Sequence, residues 1–145
     1  MVGVDGSESS KAALSWAAEY AKRSGLRLKV VTVWHLPTNL GWSLPLPGDW
    51  SPEADARAVL EQEVKEVLGT LADLDLTLLV AEGPPAQVLT DASTSASLVV
   101  VANRGRGQFA GMLLGSVSEF LTAHAHCPVV VVRDGAGNGV GTSVE

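Results

Sequence analysis

The chain predicts an α/β fold, an open parallel sheet with helices on both faces, and three observations carry that reading. Five short, valine-rich apolar runs recur along its 145 residues, and segments of helical period lie between them. The runs are apolar almost throughout instead of alternating, which marks strands buried on both faces of a parallel sheet. Strand and helix in regular alternation imply right-handed crossovers and a doubly wound sheet. Ligands of such sheets sit beyond the carboxyl ends of the strands.

The first strand is MVGVD (1–5). A helix follows with Ser7 as N-cap, Ala13, Leu14, Ala17, Tyr20 and Ala21 on one face, and Gly25 as its stop. LKVVTVW (28–34) is the second strand. Residues 35–50, with Pro37, Pro45, Pro47, Trp42 and Trp50, form a long loop of the kind that serves as a lid or binding loop. Ser51-Pro52-Glu53 joins an N-cap, a proline at the first helical position and an early acid. Ala56, Val59, Leu60, Val64, Val67, Leu68 and Leu71 then repeat every three or four residues, the apolar stripe of a second helix. LTLLVA (76–81) is the third strand, and a shorter helix after Gly83-Pro84-Pro85 turns Ala86, Leu89 and Ala92 or Ser93 inward. SLVVVA (97–102) is the fourth strand, and a glycine-rich connection spans 103–115. The last helix runs from Ser116 to about His126 with Val117, Phe120, Leu121 and Ala125 inward, ahead of the fifth strand, CPVVVVR (127–133). The glycines of 134–145 and the lack of apolar spacing there predict a flexible tail.

Composition narrows the function. A 15.0 kDa chain with 46% hydrophobic and 18% charged residues fits one globular domain. Ten basic against sixteen acidic side chains give a net charge of −6, the wrong field for a general nucleic-acid binder. No run approaches the ~18 apolar residues of a membrane span. The single cysteine, Cys127, excludes an internal disulfide, and MVGVDGSESS lacks the basic start and apolar core of a leader. The expected compartment is the cytosol.

One constellation carries chemistry. The fourth strand ends at Ala102 and runs into Asn103-Arg104-Gly105-Arg106-Gly107, and Gly115-Ser116-Val117-Ser118 opens the last helix. Glycines let backbone N–H groups approach an anion, and a helix start adds donors and partial positive charge. Ser116 and Ser118 add hydroxyls, and Arg104 and Arg106 add charge. The same residues also suit a flexible connection in which Ser116 only caps its helix.

Gly105, nine residues, then Gly115-Ser116, taken with Val2-Gly3-Val4-Asp5-Gly6-Ser7 and Cys127-Pro128-Val129-Val130-Val131-Val132-Arg133, resembles the universal stress protein family up to Arg133. The most specific part is that family's nucleotide pattern, Gly-x-x-Gly, nine residues, Gly-Ser/Thr. Only its first glycine is missing here, replaced by Ala102. The resemblance implies a Rossmann-like, adenine nucleotide alpha hydrolase-like sheet of order 3-2-1-4-5 in a domain over 1–133. It also implies a homodimer paired through strand 128–133, and an adenine nucleotide as ligand: ATP, ADP or AMP, with Mg²⁺ or Mn²⁺ accompanying a triphosphate. By resemblance Gly105, Gly115, Ser116 and Ser118 hold the phosphates, Asp5 meets the ribose, and backbone at Val33 receives the adenine. Gly3, Val4, Val101, Ala102, Arg104, Arg106 and Val117 complete that site. On chemistry alone, Asp5 suits either ribose hydroxyls or a capping role beside Ser7.

The remaining residues have bland readings. Trp34, Trp42 and Trp50 suit loop anchors as well as base-stacking lids. His124 and His126 stand two apart, so they do not face one shared metal and instead favour a helix C-terminus when protonated. Cys127 reads as a small core residue, and Glu61, Glu63 and Glu66 with Lys65 as a solvated face.

Three functions follow. The first is a nucleotide-binding regulatory module of the stress response. The second is a slow ATP hydrolase, which the absence of a lysine or carboxylate from the glycine loop disfavours. The third is a nucleotide-free dimerising stress protein, which only Ala102 encourages.

Overall fold

The computed structural model describes residues 1–36, 48, 50–69, 73–106 and 112–133. The elements alternate as β1 (Val2–Val4), α1 (Glu8–Ser24), β2 (Leu28–Trp34), α2 (Pro52–Leu68), β3 (Leu76–Glu82), α3 (Pro85–Ser93), β4 (Val99–Ala102), α4 (Ser116–His124) and β5 (Val129–Val132). All five strands are parallel, in the order β3-β2-β1-β4-β5. The chain therefore winds outward from β1 in one direction and from β4 in the other, and the switch point lies between these two strands. The proposed tail, 134–145, and most of the loop over 35–50 lie outside the described residues.

Helices cover both faces, as the strand pattern requires. α1 and α2 pack on one face and α3 and α4 on the other. Successive valines separate accordingly, because side chains alternate along a strand. Val2, Val4, Val30 and Val100 join Leu14, Ala17, Leu60 and Val64 under α1 and α2, while Val31, Val99 and Val101 join Leu89 and Leu121 under α3 and α4. Leu14, Leu60 and Leu121 are fully buried, each stabilising the fold by about 1.5–3 kcal/mol.

Local chemistry sets the helix ends. The Ser7 side chain accepts from the Ser10 amide at 3.1 Å, and Gly25 closes α1 in the left-handed conformation at φ 65°. Ser51 accepts from Ala54 in the same way, with Pro52 behind it. α4 stops at His124, two residues earlier than its periodicity suggests. The His126 amide donates to Ser93 Oγ at 2.8 Å, Ala125 is extended, and the residue before Pro128 is itself barred from the helix.

Three expectations are corrected. Tyr20 is 42% exposed and stacks on Trp16 with ring centroids 5.3 Å apart. The small residues Ala13, Ala17, Ala18 and Ala21 bring α1 close to the sheet and leave the ring at the margin of its buried stripe. Val59 is 47% exposed at the corresponding edge of α2. Glu63 is buried, because the three-four row that buries Leu60 and Val64 carries position 63 with it.

Candidate functional site

β1 ends at Val4, and the chain turns through Asp5 and Gly6 into α1. Both Asp5 oxygens are engaged: Oδ1 accepts from the Ser7 amide and Oδ2 from the Arg106 amide, each at 3.0 Å. One carboxylate thus caps the start of α1 and holds the glycine loop, whose sequence position is a hundred residues away. Gly105 makes this possible. A Cβ there would stand 2.6 Å from Asp5 Oδ2. Gly6 adopts φ +79°, and a side chain on it would meet the Arg106 guanidinium.

The far end of the loop is fastened as tightly. The Gly115 amide donates to Asn103 O at 2.6 Å, and the buried Ser118 hydroxyl lies 3.0 Å from both Asn103 O and Gly115 O. The Ser118 proton is therefore used inside the loop-to-helix clamp. Gly115 is the N-cap of α4, with no side-chain capping bond, and Ser116 is exposed at the first helical position.

These pieces enclose a cavity of about 230 Å³ at the carboxyl ends of β1 and β4, on the switch point. Every site residue read from the sequence lines it: Gly3, Val4 and Asp5 from β1 and its end, Val33 from β2, Val101 and Ala102 from β4, Arg104, Gly105 and Arg106 from the loop, and Gly115, Ser116, Val117 and Ser118 from the start of α4. Ser10, Val31, Pro85 and Leu89 also line it and were not legible. Their signal is topological: the crossover order alone brings α3 and the first turn of α1 to this end of the sheet. The floor is apolar, with Val31, Val33, Leu89 and Val101, and the rim is polar and cationic. Arg104 Nε is buried without a partner among the described residues.

Ala102 remains in β4 and pairs with Val132. No non-glycine residue among those described has a positive φ, so its backbone conformation carries no penalty.

Other candidates stand apart from the cavity. Trp50 donates from Nε1 to Asp55 at 2.7 Å, which ties it to the first turn of α2, and Trp34 sits half-buried at the end of β2. Trp42 and Gly107 lie outside the described residues. A ring nitrogen of His124 meets Phe120 O at 2.9 Å near the end of α4, and Cys127 packs against the cluster around Leu121. Among the described residues no group of three or more His, Cys, Asp or Glu could hold a metal, and no helix is long and apolar enough to cross a membrane.

A model of the universal stress protein family matches residues 1–133. The chain belongs to the universal stress protein family. A universal stress protein of Mycolicibacterium smegmatis is 36% identical over 134 residues, 92% of this chain and 45% of the relative. One from Mycobacterium tuberculosis is 36% identical over 136 residues, 92% of this chain and 44% of its own. The chain thus spans about half the length of these curated relatives. Among solved structures, a universal stress protein in complex with cAMP superposes with a TM-score of 0.66 at 28% identity, covering 91% of this chain and 93% of the other.

Proposed function

We propose that the cavity binds an adenine nucleotide, ATP, ADP or AMP, and that residues 1–133 act as a cytoplasmic, homodimeric regulatory module of the stress response. The observation that carries this reading is the meeting, in one cavity at the switch point, of the glycine loop, the uncapped start of α4 and the ends of β1 and β4. The apolar floor suits an adenine, and backbone at Val33 supplies its hydrogen bonds. Asp5 keeps lone pairs for ribose hydroxyls beyond its two amide bonds. Arg104, Arg106, the backbone of Gly105 and the α4 start with Ser116 face the phosphates. The solved relative whose complex with cAMP is named above supports an adenine ligand. Asp5 is the one carboxylate among the lining residues that a divalent cation accompanying a triphosphate could use, and such a cation would supply charge neutralisation to the phosphates.

Mass spectrometry of the nucleotide released by denaturing the purified protein tests the reading, together with calorimetry of added ATP. Adenine nucleotide in the supernatant and a saturable heat are expected. A protein that carries none and neither binds nor is stabilised by millimolar ATP would favour the nucleotide-free alternative, and turnover above a blank would favour the hydrolase. Ser116→Ala removes a hydroxyl donor to a charged acceptor, worth roughly 1.5–3 kcal/mol, so ATP affinity should fall about tenfold or more. Unchanged calorimetry in that variant would place the phosphates elsewhere.

Ala102 gives a second prediction. With no backbone penalty at this position, its methyl acts only by occupying space beside the ligand. Ala102→Gly should therefore bind ATP more tightly than the native protein, within about a tenfold gain. Equal or weaker binding in the same titration would show that the methyl does not limit the fit.

A further inference from the structure

Glu63 sits 3% exposed on the face of α2 that meets α1. Its Oε1 accepts from the Ser10 hydroxyl at 2.7 Å, and its Oε2 is buried with no partner among the described residues. Ser10 lines the cavity, and its amide is held by Ser7 Oγ. Ser7 in turn donates its amide to Asp5, which receives the Arg106 amide of the glycine loop. A continuous polar line therefore runs from Glu63 through Ser10, Ser7 and Asp5 to the loop.

Charged or polar groups reach Glu63 from the β1–α1 turn, α1 and the glycine loop, and the sheet offers it apolar residues. The β1–α1 turn presents Asp5, which opposes its ionisation, and the Gly6 amide, which favours it. α1 presents Lys11, itself held between Glu8 at 2.9 Å and Glu66 of α2 at 3.2 Å. The glycine loop presents the Arg106 guanidinium packed on Gly6. β2 and β3 present Val30, Leu78 and Val80 to this face. Burial is the largest influence and raises the Glu63 carboxyl above its ordinary range, with the Ser10 hydrogen bond pulling it down and Asp5 pushing it up.

We propose that Glu63 is a positioning residue that couples α2 to the phosphate loop, and that its carboxyl takes up a proton when an anion occupies that loop. Polyphosphate seated by Gly105 and Ser116 adds negative charge beside Asp5, and a buried carboxylate held by a single side-chain hydrogen bond yields to that field by becoming neutral. Glutamine keeps the acceptor for Ser10 and mimics the neutral form at every pH. This rests on the nucleotide reading above.

The test is ATP titration of the intact native protein and Glu63→Gln across pH, with the Gly105 and Ser116 amides and the Glu63 carboxyl followed by NMR. Glu63→Gln should bind ATP about tenfold more tightly than native at alkaline pH, the order of effect expected on removing one nearby like charge at an effective dielectric near 20. The advantage should vanish in acid, and ATP should raise the midpoint of the Glu63 carboxyl. The pH contrast cancels titration of ATP itself, which both proteins share. A purely structural role would weaken Glu63→Gln or leave it unchanged at all pH values, and either result overturns the proposal. If ATP moves neither amide, the nucleotide reading fails and takes this linkage with it. If the amides move and the carboxyl does not, the linkage alone falls.

Stability supplies an independent sign. A carboxyl raised in the folded state stabilises the fold only at acid pH, and that contribution is lost as pH rises from the unfolded value through the folded one. Glu63→Gln should therefore melt higher than native near neutrality and equal to it in acid.

Discussion

Gly105→Ala is expected to lower both thermal stability and ATP affinity, by about 5–10 °C and at least tenfold. Its new Cβ would lie 2.6 Å from Asp5 Oδ2, far inside contact distance. A flexible side chain would move away at little cost, but Asp5 is short and both its oxygens are engaged. Rotating it releases the Ser7 amide, the Arg106 amide or both. A hydrogen bond to a charged acceptor contributes roughly 1.5–3 kcal/mol, so losing even one accounts for the stability change. The affinity change has a separate origin. The Asp5–Arg106 bond fixes where the loop meets the end of β1, and a loop set free must be ordered again by the ligand. Gly115→Ala is the natural control for stability, because a Cβ there meets Arg104 and Asn103 backbone at 3.5 Å and the Gly105 nitrogen at 3.7 Å, all ordinary contacts, and φ −77° suits any residue. It should fold and melt as native does. If thermal melts show Gly105→Ala as stable as that control, and calorimetry shows it binding ATP as the native protein does, the Asp5 clamp does not organise the site.

The two glycines show why parts of the site can be read from sequence and others cannot. Gly105, Gly115 and Ser116 stand out in the sequence through the resemblance to the family pattern, which sets small residues and donors at fixed intervals along one chain segment, and all three line the cavity. That Asp5 bonds the Arg106 amide is not in the spacing, since it depends on β1 and β4 lying side by side. Ser10, Val31, Pro85 and Leu89 enter the cavity by the same route, through the crossovers. The helices were legible where caps punctuate them, at Ser7, Gly25 and Ser51, and less so on their flanks. Glu63 is the instructive case. Its charge suggests solvent, but the helical period places it in the row of Leu60 and Val64, and the Ser10 hydroxyl makes a buried carboxylate tolerable there. Val59 and Tyr20 err in the opposite direction, apolar in kind but at the edge of their stripes.

Val131→Pro is expected to weaken the proposed β5-paired dimer about tenfold or more while leaving the monomer folded. β5 lies at the edge of the sheet with Val129, Val130 and Val131 half-buried, and an open valine edge invites pairing with a second copy of itself. The Val99 amide donates to Pro128 O and the Asn103 amide to Val132 O. Because bonding residues alternate along a parallel ladder, Pro128, Val130 and Val132 turn their backbone groups to β4, while Val129 and Val131 turn theirs outward. A proline at 131 removes an outward N–H, a place that edge strands tolerate within one molecule. Two-fold pairing loses that bond twice, at roughly 0.5–1.5 kcal/mol each, so dimer affinity should fall about tenfold or more. Val130→Pro would instead remove a donor facing β4 and destabilise the monomer itself. Sedimentation at micromolar concentration separates these outcomes. A native monomer, or a Val131→Pro dimer as stable as the native one, would show that β5 is not the surface through which copies associate.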